Sequence, residues 1–408
     1  MTVDREQFGS RKTTSLALLL VSEVAAMAAW FATTASLSAI RAHWSLSPFH
    51  EALLTSSVQL GFVAGTCTSA LLSAADRFDL RKLFSLAAVV AGLANLAILP
   101  FEPTSPAVPA LRFVTGFCMA GVYPVGMKLA ATWAAGDLGL LIGLLVAALT
   151  LGSAFPNLLA AFGGIDWRLP ILGAAVSALL AAVVIRFAAV GPAVTRAPPL
   201  RIANALDAWR NRALRLANLG YLGHMWELYA MWAWMGAFMA ATLRERYGGS
   251  PPISPALATF AIVAAGALGA MGGGWAADRF GRTVVTMASM LISGSCAIGM
   301  GLLFGHSLGP VMILGLIWGI FVIADSAQFS AAAAELSERG LVGTMLTVQT
   351  CLGFLLTIIS IQLLPWIQGF VGWRYAFATL AIGPFLGVLA MARLRWMPEA
   401  LQLAGGRR

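Results

Sequence analysis

Charged residues in this chain come in clusters, and apolar stretches of about 20 residues separate them, the length one helix needs to cross a ~30 Å hydrocarbon core. That spacing decides the solvent before any motif is read. Apolar residues make up 59% of the chain and charged residues 11%, against about 25% charged in a soluble domain. Too little charge remains to cover a water-facing surface. Backbone inside a bilayer must satisfy itself as helices or as a closed barrel. Barrel strands alternate apolar and polar residues, and these runs do not. The expected fold is therefore an all-α polytopic membrane protein with twelve transmembrane helices. The spans fall near 13–40, 49–74, 83–100, 107–133, 139–162, 169–190, 213–240, 255–277, 283–304, 308–333, 341–365 and 373–395.

The formal net charge of +9 raises the possibility of a nucleic-acid partner. Its distribution argues instead for membrane topology. With the N-terminus inside, the inner segments carry 19 of the 26 Lys and Arg residues and the outer segments 5, while Arg112 and Lys128 lie within spans. By the positive-inside rule both termini are cytoplasmic. The first apolar run follows Arg11-Lys12 but is long and carries Glu23, so it reads as a span and not as a cleaved signal. Cys67, Cys118, Cys296 and Cys351 fall inside apolar runs with no metal or disulfide spacing, and read as small packing residues.

The two halves repeat. Ala74-Ala-Asp76-Arg77-Phe78 recurs as Ala276-Ala-Asp278-Arg279-Phe280, and Trp167-Arg168 as Trp373-Arg374. Glu23-Val-Ala-Ala-Met27-Ala-Ala-Trp30 matches Glu227-Leu-Tyr-Ala-Met231-Trp-Ala-Trp234 at an offset of 204, between the offsets of 202 and 206 of the other pairs. An even number of spans per half makes the repeat parallel. The expected organisation is a six-helix bundle over 1–190, a cytoplasmic linker over 191–212 with a short surface helix from Arg201 to Arg212, and a second six-helix bundle over 213–408.

Two phrases carry a resemblance. Gly274-Trp-Ala-Ala-Asp278-Arg279-Phe-Gly281-Arg282 follows span 8, and Asp76, Arg77, Arg81 and Lys82 form a partial copy after span 2, with Leu72 and Asp79 where the second copy has glycines. Arg112-Phe-Val-Thr-Gly116 lies in span 4. With six plus six spans, a long central loop and both ends inside, the chain resembles the major facilitator superfamily of bacterial-type secondary transporters. The resemblance implies alternating access about a midplane site. It gives the first motif a role in latching the cytoplasmic gate through Asp76, Arg77, Gly274, Asp278, Arg279 and Arg282, and the Arg112 motif a link to proton coupling. The family's antiporter phrase in span 5 has only a loose echo, Gly152-Ser-Ala-Phe-Pro156, and the nitrate-carrier signatures are not recognisable.

Polar residues inside spans are costly and are site candidates for that reason. Glu23 lies about ten residues into span 1, roughly 15 Å deep at ~1.5 Å per residue, the middle of the core. Glu227 is its repeat mate, expected to face it across a central cavity; each can also be read as a structural acid. His224 precedes Glu227 by one turn and is expected to modulate it. Trp30 and Trp234 are either stacking surfaces for a planar or cationic solute or packing residues. Arg112 should meet an acid or an anionic group, and Lys128 either couples or snorkels. Asp325 is a further candidate, with Gln59, Tyr123, Tyr229 and Gln349 as weaker hydrogen-bonding ones. Gly266, Ala270 and Gly274 form a close-packing stripe.

The sequence thus points to a secondary transporter, coupled to protons, for a small organic solute, in the bacterial inner membrane and expected as a monomer. An efflux antiporter or a uniporter of the same fold, or a membrane sensor or receptor, are the alternatives. An enzyme is not expected, because no nucleophile–base or metal spacing is present, and no nucleotide motif implies a cofactor or direct ATP use.

Overall fold

The computed structural model describes residues 2–164, 166–194, 202–338 and 340–408, with side chains described from Gly9 onward except at 202. Arg196, Arg201 and Arg339, counted above on the inner side, lie outside the described residues, and Arg5 is described in its backbone alone. All regular structure among the described residues is helical. The main helices are α1 (Thr2–Met27), α2 (Pro48–Leu72), α3 (Leu80–Leu96), α4 (Ala107–Met119), α5 (Tyr123–Ala131), α6 (Leu138–Gly163) and α7 (Arg168–Val184). After the linker come α8 (Arg212–Tyr247), α9 (Pro255–Phe280), α10 (Arg282–Leu302), α11 (Leu308–Ala324), α12 (Ser326–Glu335), α13 (Val342–Val371) and α14 (Ile382–Arg395).

Local chemistry sets where these helices begin. Ser47, Asp79, Asn211 and Ser254 each accept a backbone N–H of the first turn, and proline follows at the start of α2 and α9. The surface helix expected at Arg201–Arg212 is a 3-10 turn at Ile202–Asn204 and a single helical turn at Asp207–Arg210.

Among the described residues, eight helices or helix pairs are long and apolar enough to cross a membrane, which makes this a multi-pass membrane protein. Four of the expected spans, those built on α1, α2, α3 and α8, fall short of that measure. The reason is physical: α1 carries Arg11, Lys12 and Glu23, α2 is rich in Ser and Thr, α3 is 17 residues long, and α8 carries His224 and Glu227 with arginines at both ends. Three of these four helices hold Glu23, Gln59 and Glu227, which were singled out from the sequence. The site and the weakest membrane signal have the same cause.

Several expected spans are interrupted. The span after Thr2 breaks at Ala28–Phe31, and short helical turns at Ala32–Ala35 and Leu37–Arg41 continue it. The span from Ala107 breaks at Ala120–Val122, and the one from Leu308 breaks at Asp325. These last two breaks sit at the offset of the sequence repeat.

Two seams join the parts of the chain before and after the linker. In one, α6 packs on α9; in the other, α2 packs on α13. The expected small-residue stripe lies in the first seam. A Cβ added at Gly266 would stand 3.1 Å from the Thr150 methyl, and one at Gly143 would stand 3.5 Å from the Ala270 carbonyl oxygen. Gly116 of the Arg-x-x-x-Gly phrase serves the α2–α4 contact, since a Cβ there would fall 1.9 Å from the Val58 carbonyl oxygen.

Candidate functional site

Arg112 is fully buried, and it is the one buried Lys or Arg among the described residues. Interrupting a helix at Ala28–Phe31 strips carbonyls of their intrahelical donors, which is expensive away from water. Arg112 supplies the missing N–H groups. Its Nη1 donates to the Ala29 carbonyl at 2.8 Å and to Asn95 Oδ1 at 2.9 Å, its Nη2 donates to the Trp30 carbonyl, and its Nε reaches the Leu54 carbonyl at 3.4 Å. None of these bonds goes to a carboxylate. The structure therefore replaces the expected acid partner with a knot of neutral oxygens tying α1, α2, α3 and α4 together. A lysine has no planar fork with which to hold three helices. Arg112→Lys should lower transport at least about tenfold and lower the melting temperature of the purified protein, because several buried carbonyls lose donors at about 1–3 kcal/mol each. Retention of full activity would mean that only the charge at 112 counts.

On the C-terminal side, α8 places His224 and Glu227 one turn apart, both buried. Glu227 Oε1 accepts from Trp318 Nε1 at 2.9 Å, and Oε2 accepts from Ser293 Oγ at 2.7 Å. His224 does not bond Glu227. Its Nδ1 lies 2.9 Å from Asp325 Oδ1, close enough to pair in charge though not aligned for a hydrogen bond. Asp325 reaches it because the break between α11 and α12 ends the helix there. Glu227 and His224 on α8 and Asp325 at the α11–α12 break thus form one buried cluster, with Ser293 of α10 and Trp318 of α11 bonded to Glu227. Trp318 and Ser293 were not foreseen; a lone tryptophan in an apolar run was the available signal for the first.

The N-terminal repeat mates are built differently. Both Glu23 oxygens are buried without a hydrogen-bond partner among the described residues, and a Cβ on Gly126 would sit 2.6 Å from Oε2. Trp30 Nε1 and both amide atoms of Gln59 are likewise without a partner, whereas Trp234 Nε1 donates to the Ile361 carbonyl at 3.0 Å. Gln59 and Phe62 share a face of α2 at helical spacing. Phe62 meets Trp30 at 5.0 Å and Phe354 at 4.5 Å between ring centroids, and Tyr229 meets Phe354 at 4.9 Å and Trp30 at 6.0 Å. Rings from α2 and the α1 break therefore interlock with rings from α8 and α13. Glu227 is held by partners in its own half, Trp318 and Ser293. Gln349 is also tied within the C-terminal part, donating to Asn218 Oδ1 at 2.9 Å. Tyr123 opens α5, near enough to Glu23 to feel its charge.

The motif residues gather at the end of the bundle that carries the linker. Gly281 has φ +94°, which suits glycine, and it stops α9 before Arg282 opens α10. Arg282 pairs with both oxygens of Glu335, at 2.7 and 2.6 Å, and with Gln328 at 2.8 Å. Arg279 lies over the Trp275 and Phe280 rings at 5.8 Å. Asp278 is the residue that crosses the seam. Its carboxylate comes to 3.7 Å of where a Cβ on Gly139 would be, at the N-terminal turn of α6, where a helix favours an anion.

In the first copy Asp76 pairs with Lys128 at 2.6 Å, so Lys128 does not merely snorkel, and Arg77 is exposed. Asp79, at the position of Gly281, caps α3 with φ −61° and so needs no glycine. The Arg81 side chain holds the Asp79 carboxyl down at about 2. That contact is complete above the ordinary carboxylate range and is lost only as pH falls through about 2. Asp278→Asn should accordingly disturb the balance of open states more than Asp76→Asn does. Alkylation of single cysteines at each end of the bundle measures this, and equal effects would remove the cross-seam role of Asp278.

A cluster of acids and a histidine buried among the helices of a multi-pass membrane protein suits a membrane transporter. Residues 19–272 match the Major Facilitator Superfamily, and the chain belongs to that family. Its structure is similar to a crystal structure of the nucleoside transporter NupG, with a TM-score of 0.72 over 94% of this chain and 99% of that one. The two sequences are 12% identical, so this likeness shows the fold alone. No curated protein sequence matches the chain.

Proposed function

We propose that the chain is a proton-coupled secondary active transporter whose solute binds against the N-terminal half. One observation carries this: the repeat mates are satisfied unequally. The side chains of Glu227 and Trp234 have their hydrogen bonds, while those of Glu23, Trp30 and Gln59 have none among the described residues. Leaving buried polar atoms unpaired costs about 1–3 kcal/mol each, which is tolerable where a ligand or proton completes them during the cycle. The C-terminal cluster of Glu227, His224 and Asp325 is then the proton site, and the N-terminal residues with the ring cluster are the solute site.

The lining also sets a solute class. Arg112 is spent on carbonyls, Glu23 has no counter-charge, and π faces and a free amide surround the path. A planar, neutral or cationic nitrogen heterocycle suits these groups, and an anion does not. Thermal-shift measurement on purified protein tests this. Cationic and neutral heteroaromatic bases should raise the melting temperature in a concentration-dependent way, and carboxylate or phosphate derivatives should not. Stabilisation by the anions alone would reverse the assignment.

In this reading the chain has twelve spans, α1, α2, α3 and α8 included, and works as a monomer in the bacterial inner membrane. It divides at the 191–212 linker into bundles over 1–190 and 213–408 that rock about the midplane. The charge bias puts the linker end in the cytoplasm. Reporter fusions at Arg196 and Arg408 should report cytoplasm, and fusions near Glu102 and His306 the outside. An external signal at Arg196 would overturn the span order.

A further inference from the structure

The α2–α13 seam joins the two halves in regular antiparallel register. At the end remote from the linker, Gln362 Nε2 donates to Ser56 Oγ at 2.8 Å. In the middle, Phe62 meets Phe354. At the linker end, Cys67 Sγ and Cys351 Sγ stand 3.5 Å apart. From Ser56 to Cys67 is 11 residues, about 17 Å at ~1.5 Å per residue, so these contacts pin the seam at both ends and the centre. Sequence spacing gave no hint of the thiol pair, because its members are 284 residues apart and in opposite halves. Both thiols are free and half-buried, and Cys118 and Cys296 lie on other helices.

We propose that Cys67 and Cys351 are a reversible oxidation site, closed by a peroxide, that bolts the linker end of the two halves together. In the first step one thiol loses its proton and attacks a peroxide oxygen as the thiolate, cleaving the O–O bond; that proton goes to the departing hydroxide, leaving a sulfenic acid and water. In the second, the other thiol attacks that sulfur and expels a second water, forming the disulfide. Two thiols are oxidised and one peroxide is reduced to two waters. The sulfurs must close from 3.5 Å to about 2.05 Å, a side-chain movement within reach of neighbouring helices. A dithiol reverses the bond by exchange. The reducing cytoplasm keeps the pair open in ordinary conditions. Rocking must part this seam at one end and then the other, so a bond here holds the linker end shut and stops the cycle.

The cross-link is tested without a solute, which separates it from the transport reading. A protease site is placed after Arg196 in the full-length protein in liposomes, and hydrogen peroxide is added before cleavage. On a denaturing gel without reductant, the two halves should run as one band, and as two bands once dithiothreitol is added. Cys67→Ser and Cys351→Ser should each give two bands throughout, while Cys118→Ser and Cys296→Ser behave as the parent. Deuterium exchange should slow at 138–143, the linker-end turn of α6, in the oxidised parent and not in Cys67→Ser. Halves that separate after peroxide, or a joined band in Cys67→Ser, would overturn the site. A joined band with unchanged exchange would overturn the bolt.

Discussion

Glu227→Gln abolishes solute accumulation driven by a pH difference and leaves solute exchange across the same liposomes intact. Glutamine keeps the shape of the protonated acid: its oxygen accepts from Trp318 and its amide donates to Ser293 Oγ, reversing the bond that Ser293 donates to the carboxylate, so the loaded protein still reorients. What it removes is the dependence on a proton. His224→Ala should shift the pH optimum without stopping transport, because His224 acts on the cluster through Asp325, 2.9 Å away. Radiolabelled uptake against exchange in liposomes separates these outcomes. If Glu227→Gln and Glu23→Gln both still concentrate solute, neither acid couples, and Asp325 becomes the coupling candidate.

Glu23→Gln acts on the other half. Its carboxylate has no partner to lose among the described residues, so the folded protein should tolerate the change, with a melting temperature close to that of the parent. Binding of a cationic solute should instead weaken by about ten- to a hundredfold, the worth of a hydrogen bond to a charged group, about 1.5–3 kcal/mol. Titration calorimetry with the best-stabilising heterocycle reads this directly. Unchanged affinity would show that Glu23 is a structural acid.

The helical membrane architecture and the repeat were legible from spacing alone, because a bilayer imposes length and polarity on every span. The breaks at Ala28–Phe31 and Asp325 were not. Nothing local in those segments, neither proline nor a glycine run, announces them, and the Arg112 fork that makes the first one affordable comes from another helix. The same limit explains the partners that were mistaken. His224 and Glu227 share a helix, which sequence shows, but Asp325 reaches His224 only because α11 ends where it does. Asp79 stands where the second copy has a glycine, yet its negative φ and its side-chain cap make it a sound helix start. Repeat symmetry identified Glu23 with Glu227, and three-dimensional neighbours then divided their surroundings.

Alternating access itself is measured most directly by distances at the two ends of the bundle. Spin labels are placed on a cysteine-free background at the exposed positions Leu138 and Trp275 for the linker end, and at Phe49 and Trp366 for the far end. Pulsed electron resonance then reports both distances over a range of pH, with and without solute. The account predicts two populations in which one distance lengthens as the other shortens, shifted by pH in the parent and unmoved by pH in Glu227→Gln. A single distance at each end under every condition, or both ends widening together, would contradict it.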